Sequence, residues 1–562
     1  MRTFSKVFFL LLVFTTFTIA QEGNPVYAKN GIVVSASTLA SQVGVQILKK
    51  GGNAIDAAVA TGFALAVTYP AAGNIGGGGF MVIHLANGKN TTLDFREMAP
   101  LKAHKNMFLD SLGNFLPDLS QKSWLASGVP GTVAGLIYAL EEYGTMDLED
   151  VIQPAIDLAK NGFHLDYRLT NSINSENEAF KNIEASKKIF ARDGEKFQIG
   201  DLFVQNDLAR TLEIIRDEGR DGFYEGEITE KIVEGSNKYG GLFTLEDFEN
   251  YKVVERDPII VNYRGNEIIS MPPPSSGGIC LVEALNALEH FTFKIEEWGS
   301  SRYIHTLVEI LKQVYADRAE HLGDADYYPV PVNYLVSKEY SEIIKNKIGE
   351  TARPAIDFQA AEIPRYKEKE ETTHFSVVDK FGNAVSTTYT LNGSYGNKIV
   401  VDGLGFLLNN EMDDFSAKPG APNMFGLMGS EANSIQPMKR MLSSMTPTIV
   451  LQAGKPLLIV GSPGGSTIIT SVLQVIINVI DFKMNVYEAI NAPHIHHQLF
   501  PDQIDYEPFG LSEDVKQNLI SRGQKIGAER YLGRVEAIYI DQNKNCFFGT
   551  SDPRGFGKAV GF

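Results

Sequence analysis

Thr372-Thr373-His374-Phe375-Ser376-Val377-Val378, then Gly382-Asn383, then Ala384-Val385-Ser386-Thr387-Thr388-Tyr389-Thr390-Leu391, is the stretch on which the fold turns. β-branched and aromatic residues fill both runs, and a Gly-Asn pair separates them, the pattern of a β-hairpin. Centring the turn on Phe381 sets Val378 opposite Ala384 and Thr372 opposite Thr390. Two threonine hydroxyls then lie side by side at the strand ends, with Asn392 just beyond. Threonine pairs are common in ordinary sheets, so the pair alone does not assign chemistry.

Upstream, Leu39 to Lys50 reads as a helix closed by Gly51-Gly52, and Asn53 reads as the N-cap of a second helix, Ala54 to Val67, ended by Pro70. The second helix is rich in alanine, so another element can pack very close to it. Gly76-Gly77-Gly78-Gly79 leads into a strand, Phe80 to Leu85. An Asn87-Gly88 turn and a return strand, Thr91 to Phe95, follow, with Arg96 just past the end. Phosphate loops run strand, loop, helix; here the order is helix, loop, strand, so the glycines serve a tight backbone path. Residues from about 130 to 350 are mostly helical by pattern, most clearly Tyr303 to Leu322. Downstream, Leu457 to Val460 is an apolar strand and Ser466 begins an apolar helix. The Gly464-Gly465 loop between them offers backbone N–H groups that can hold negative charge, or serves only the turn. This alternation predicts a layered architecture of helices and sheets.

At 562 residues, 44% hydrophobic and 21% charged, the chain can bury a sizeable core. A net charge of −17 without a Lys/Arg stripe excludes a nucleic-acid partner. Cys280 and Cys546 belong to no CxxC pair; they read as two free buried thiols, with one disulfide as the alternative if they meet in space. Arg2 and Lys6, the apolar run Val7 to Phe14 and Thr18-Ile19-Ala20 form a secretory signal over residues 1–20. Export to the periplasm or medium follows, and no later segment has the apolar length of a membrane span. Asp324 and Asp326 lack the spacing of a calcium loop and read as a solvated loop. His494, His496 and His497 read as structural, because a metal needs further ligands in suitable geometry.

Glu371 to Asp379 with Thr388-Tyr389-Thr390-Leu391-Asn392 resembles the γ-glutamyltransferase (γ-glutamyl transpeptidase) family of N-terminal nucleophile hydrolases. The resemblance continues through Asn74-Ile75-Gly76-Gly77-Gly78, Leu93-Asp94-Phe95-Arg96-Glu97 and Leu408 to Phe415. It continues again at Leu442-Ser443-Ser444-Met445-Thr446-Pro447-Thr448 and Gly461-Ser462-Pro463-Gly464-Gly465-Ser466. It implies an α+β fold, a four-layer αββα sandwich built jointly by two subunits. The precursor would cleave itself between Glu371 and Thr372, leaving a large subunit (21–371) and a small catalytic subunit (372–562) as a heterodimer. The charged run Lys367 to Glu371 is an exposed linker, which suits a segment that must swing away after such a cut.

By the same resemblance Thr372 is the nucleophile, Thr390 orients it, and Gly464 and Gly465 form the oxyanion hole. Arg96 binds the substrate α-carboxylate with help from Ser443 and Ser444, while Asn392, Glu411 and Asp414 bind its α-ammonium. Taken alone, Glu411, Asp413 and Asp414 also fit a solvated acidic loop or a weak metal site. Pro419 to Gly429 resembles the lid loop of bacterial members, with Phe425 where tyrosine is common. No cofactor or metal is implied. The implied substrates are glutathione and related γ-glutamyl amides, with water or amino acid and dipeptide amines as acceptors. A glutaryl or cephalosporin-type acylase and a poly-γ-glutamate-cleaving enzyme are the near alternatives, and a non-catalytic exported binding protein the distant one.

Overall fold

The structure is a computed structural model and describes residues 24–358, 372–418, 420–555 and 557–562. The expected signal (1–20), the charged run Lys367 to Glu371 and the Glu371 side of the expected cut lie outside the described residues.

Two seven-stranded antiparallel sheets form the centre. The strands within them are β1 (Val26–Ala28), β2 (Gly31–Ser35), β3 (Gly78–His84), β4 (Asn90–Phe95), β5 (Val254–Arg256), β6 (Ile259–Tyr263) and β7 (Asn266–Ser270). Then come β8 (Thr373–Asp379), β9 (Ala384–Thr390), β10 (Thr448–Gln452), β11 (Lys455–Gly461), β12 (Glu536–Asp541), β13 (Cys546–Ser551) and β14 (Lys558–Gly561). One sheet has the order β1-β13-β12-β11-β10-β7-β6 and the other β14-β2-β8-β9-β3-β4-β5. The hairpin pairs as its sequence requires, Val378 with Ala384 and Thr373 with Tyr389.

Alternation along the strands builds the layers. Ile32, Val34, Val378, Ile449, Ile459 and Ile538 form one cluster between the sheets. Their neighbours in sequence face outward: Val33 and Val377 toward one helical layer, Val450, Leu458 and Ala537 toward the other. Each fully buried Val, Leu or Ile among them contributes roughly 1.5–3 kcal/mol against exposure. The first layer contains α1 (Thr38–Lys50), α2 (Ala54–Thr68), α3 (Thr132–Tyr143), α4 (Leu148–Asn161) and α5 (Asn206–Tyr224). The second contains α6 (Gly277–Leu288), α7 (Ser301–His321) and α8 (Thr467–Ile480). The result is the four-layer αββα sandwich.

Local signals act as expected. Gly51 ends α1 at φ 105°, and Asn53 caps α2 in a reciprocal capping box with Asp56. The two helices approach so closely that a β-carbon on Gly44 would lie 2.4 Å from Thr61 Oγ1. Two details differ from the sequence reading. The largely helical middle of the chain also supplies the edge hairpin β6–β7. Asp324 is buried rather than solvated; its carboxylate accepts from the Arg440 backbone N–H at 2.9 Å.

Residues on either side of position 372 interleave in both sheets. β8 and β9 lie between β2 and β3, and β10 to β13 lie between β1 and β7. Neither portion holds a complete sheet, so each depends on the other for its ladder partners.

Candidate active site

Thr372 stands one residue before β8 and Thr390 ends β9, so the hairpin delivers both to the same end of the central sheet. The Thr390 hydroxyl donates to the Thr372 hydroxyl at 3.4 Å, and the Asn392 backbone N–H donates to Thr390 Oγ1 at 2.9 Å. Asn392 sits at φ 75°, a left-handed conformation that asparagine tolerates. Asn74 Nδ2 donates to the Thr390 carbonyl at 2.8 Å, while Asn74 Oδ1 accepts from the Gly77 N–H at 2.9 Å. Any β-carbon on Gly77 would lie 2.1 Å from the Thr390 carbonyl oxygen. The glycine run therefore lets its backbone close against the strand end, as its order in sequence predicted.

Arg96, just past β4, is buried and pairs with Glu411 through Nη1 and with Asp414 through Nη2 at 2.6 Å. Glu97 Oε2 is 3.9 Å from the same guanidinium, and Asn423 Nδ2 donates to Asp414 Oδ1 at 2.8 Å. Burial opposes charge on Arg96, but Glu411, Asp414 and Glu97 outweigh it and hold the guanidinium protonated. Burial pushes the Glu411 carboxyl well up, against the pull of Arg96, and lifts Glu97 to about 8. Asp414 is raised for the same reason. One buried cation thus faces three carboxylates, an arrangement ready to receive a ligand with both an anionic and a cationic group. The solvated-loop reading of this acidic segment fails, since Glu411 and Asp413 are buried. Asp413 instead accepts from Ser120 Oγ at 2.5 Å and from the Met424 N–H at 2.8 Å.

Ser444 Oγ accepts from Arg318 Nη2 at 3.1 Å. Arg318 Nε donates to Ser276 Oγ at 3.0 Å, and that hydroxyl donates to the Ser443 carbonyl at 2.6 Å. Burial pulls the Arg318 pKa down. The sequence reading missed Arg318, although a lone arginine on the inward face of α7 was the available signal.

Gly464 and Gly465 join β11 to α8 with φ 135° and 51°. Nine of the ten expected residues line one cavity of about 20 Å³, namely Thr372, Thr390, Gly465, Arg96, Asn392, Glu411, Asp414, Ser443 and Ser444. The tenth, Gly464, lines a neighbouring cavity. Phe425 and Leu427 of the lid-like loop close the first cavity, and Gln498 Nε2 holds the Phe425 carbonyl at 3.2 Å. Pro419 of that loop lies outside the described residues. Space of this size holds about one water.

The three histidines stand apart from this cavity, each with its own partner. His496 bonds Thr470 and Gln498, both at 2.9 Å. His497 faces Asp502 at 3.4 Å and His494 faces Glu507 at 3.5 Å. Among the described residues no group of His, Cys, Asp and Glu is arranged to hold a metal ion.

The family profile described as gamma-glutamyltranspeptidase matches residues 40–562. A glutathione hydrolase proenzyme of Escherichia coli (strain K12) is 50% identical over 533 residues, covering 94% of this chain and 91% of its own. In three dimensions the chain is similar to a cephalosporin acylase from Bacillus halodurans at 27% identity, with TM-score 0.84 and coverage of 98% and 99% of the two chains. It is also similar to the Helicobacter pylori gamma-glutamyltranspeptidase at 51% identity, with TM-score 0.56 over 57% of this chain and 92% of that one. The profile spans nearly the whole chain, the relative is half identical over almost its full length, and the paired threonines share one cavity with the arginine and its carboxylates; the chain belongs to the gamma-glutamyltranspeptidase family.

Proposed function

We propose that the protein is a γ-glutamyl transferase and hydrolase that cuts itself before Thr372 and then uses that threonine as its nucleophile. The observation that carries this reading is one cavity with the Thr372 and Thr390 hydroxyls beside Arg96, Glu411 and Asp414. A γ-glutamyl group carries an α-carboxylate and an α-ammonium at one end and the scissile amide at the other. Arg96, Ser443 and Ser444 complement the first charge; Glu411, Asp414 and Asn392 complement the second.

A threonine hydroxyl is a weak nucleophile until a base takes its proton. Cleavage before Thr372 frees an α-amine, a base of ordinary pKa about 7.7–8.0. The Thr372 oxygen attacks the amide carbon, the N–H groups of Gly464 and Gly465 stabilise the oxyanion, and the amine departs with the proton. Losing one such donor costs about 3 kcal/mol of transition-state stabilisation. The ester is then resolved by water or by an amino acid or dipeptide amine. The Thr390 hydroxyl orients the nucleophile throughout.

The interleaved sheets support a heterodimer of residues 21–371 and 372–562 that stays together after the cut. The Escherichia coli relative is a glutathione hydrolase proenzyme, which fits self-processing here and makes glutathione the first donor to test. Residues 1–20 support export to the periplasm or medium, and no described helix is long and apolar enough to cross a membrane.

A second reading, a glutaryl-type acylase, draws on the similarity to the Bacillus halodurans acylase. Glutaryl has no amine to engage Glu411 and Asp414, which favours the γ-glutamyl reading. Denaturing mass spectrometry with N-terminal sequencing, then hydrolysis of γ-glutamyl and glutaryl anilides, tests both. A smaller chain starting at Thr372 with γ-glutamyl preference is expected. An uncut, inactive chain sinks the proposal, and a glutaryl preference transfers it to the acylase reading.

A further inference from the structure

Asn423 uses both ends of its side-chain amide in the wall of the substrate pocket. Its nitrogen Nδ2 donates to Asp414 Oδ1 at 2.8 Å, while Arg96 Nη2 takes the other oxygen of that carboxylate at 2.6 Å. Its oxygen Oδ1 accepts from the Phe425 N–H at 3.0 Å and from the Leu427 N–H at 3.1 Å. Backbone bonds complete the turn. The Asn423 N–H donates to the Leu427 carbonyl at 3.2 Å and the Gly426 N–H to the Asn423 carbonyl at 3.0 Å. Phe425 and Leu427 line the cavity together with Asp414. One planar amide thus ties a carboxylate assigned to the donor's α-ammonium to the two apolar side chains that cover it.

Phe425 carries no polar atom in its side chain, so hydrogen bonds from neighbours hold this part of the wall. The Met424 N–H donates to Asp413 Oδ2 at 2.8 Å, and Gln498 Nε2 donates to the Phe425 carbonyl at 3.2 Å. Asp413 and Gln498 stand outside the cavity wall, whereas Asp414 is part of it. Burial raises the Asp414 pKa, and Arg96, Arg318 of α7 and the Asn423 amide oppose that rise. The other charges around the carboxylate are Glu97, just past β4, and Glu411 and Asp413 in its own turn. A hydrogen bond to the ionised form favours that form, which is the one an ammonium needs.

Resting on the γ-glutamyl reading, we propose that Asn423 is a positioning residue for donor recognition, which aims Asp414 at the α-ammonium and makes the seating of Phe425 and Leu427 depend on that ammonium. A bound ammonium fixes the plane of the Asp414 carboxylate. The carboxylate then fixes Nδ2, and Oδ1 at the other end of the same rigid amide fixes the two N–H groups of the turn. A donor without the ammonium leaves that chain without its first link. The pocket therefore reads the amine twice, once by charge at Asp414 and once through the fit of the apolar wall.

Asn423→Asp separates these contacts, because it keeps an oxygen for the Phe425 and Leu427 N–H groups and replaces only the donor to Asp414. Two carboxylates in contact share a proton at low pH and repel when both are ionised. In the mature variant the KM for γ-glutamyl-p-nitroanilide should be near the wild-type value at about pH 5.5 and about 10-fold above it at about pH 8.5, with a smaller change in kcat. A variant-to-wild-type KM ratio that stays flat over that range overturns the inference, as does a fall in kcat at constant KM. The wild type supplies a second measurement that needs no variant. Amide hydrogen exchange over residues 423–427 is compared with L-glutamate and with glutarate, which differ only in the α-amine. Glutamate should slow exchange of the Phe425 and Leu427 N–H groups and glutarate should leave it unchanged; an equal effect, or none from either, overturns the role of Asn423. Release of p-nitroaniline by the wild type reports the underlying activity separately. Its absence would sink the proposed function, whereas release with a flat KM ratio sinks the Asn423 link alone.

Discussion

Phe425 lies against Gly465 so closely that a β-carbon on the glycine would stand 2.6 Å from the ring's Cδ1. The lid and the proposed oxyanion loop are therefore one packed unit. Gly465 also sits at φ 51°, where a side chain costs roughly 1–2 kcal/mol. Gly465→Ala should displace the lid and lower kcat/KM on a γ-glutamyl anilide by about 10-fold or more. Adding Phe425→Ala should recover part of that loss, because it removes the clash but not the strain. A double variant whose losses simply add would show that lid and loop are independent.

Arg318 reaches the pocket through Ser444 and Ser276, so it acts as a positioning residue. Arg318→Gln should raise the donor KM by about 10-fold with a smaller change in kcat, and Arg318→Lys should restore part of the binding. A fall in kcat at constant KM would contradict this role.

Removing Arg96 leaves Glu97, Glu411 and Asp414 without their shared cation. Arg96→Ala should lose on the order of 3–5 kcal/mol of stability together with most donor binding. Denaturant unfolding alongside saturation kinetics measures both, and unchanged saturation behaviour would remove the carboxylate-binding role.

Thr372 is a buried residue beside a strand whose ladder does not need its hydroxyl. Thr372→Ala should fold, remain a single chain on denaturing gels and show no turnover. A cut or active Thr372→Ala protein would end the nucleophile assignment.

His374 lies between the sheets, bonded to Thr388 at 2.8 Å and Ser376 at 3.0 Å, and burial lowers its pKa from the ordinary 6.5 to about 3. The folded state thus holds a neutral imidazole where the unfolded chain binds a proton below 6.5. The stability it contributes is fully present above pH 6.5 and is lost as pH falls toward 3, by about 1.4 kcal/mol per unit. The stability difference between wild type and His374→Gln should be constant from pH 8 to 7 and shrink steadily below 6.5. Parallel urea-unfolding curves for the two proteins across that range would refute it.

Much of the local structure was legible because it is governed by neighbours in sequence. The hairpin register, the Asn53 cap, the Gly51 helix stop and the Asn87-Gly88 turn each follow from side chains within a few residues. The resemblance carried the candidate residues, and nine of the ten meet in one cavity. The edge hairpin β6–β7 was not legible, since its partner β10 lies far along the chain. Asp324 was misread because its burial depends on the distant Arg440.

By itself the sequence determined the apolar alternation that makes two sheets with both faces covered, and the identity of the residues at their ends. Only the tertiary structure decided that Arg96 would face three carboxylates, that Arg318 would brace Ser444, and that Phe425 would rest on Gly465. Backbone propensity acts over a few residues, whereas charge pairing and close packing depend on distances set by the closed sandwich, which joins segments hundreds of positions apart.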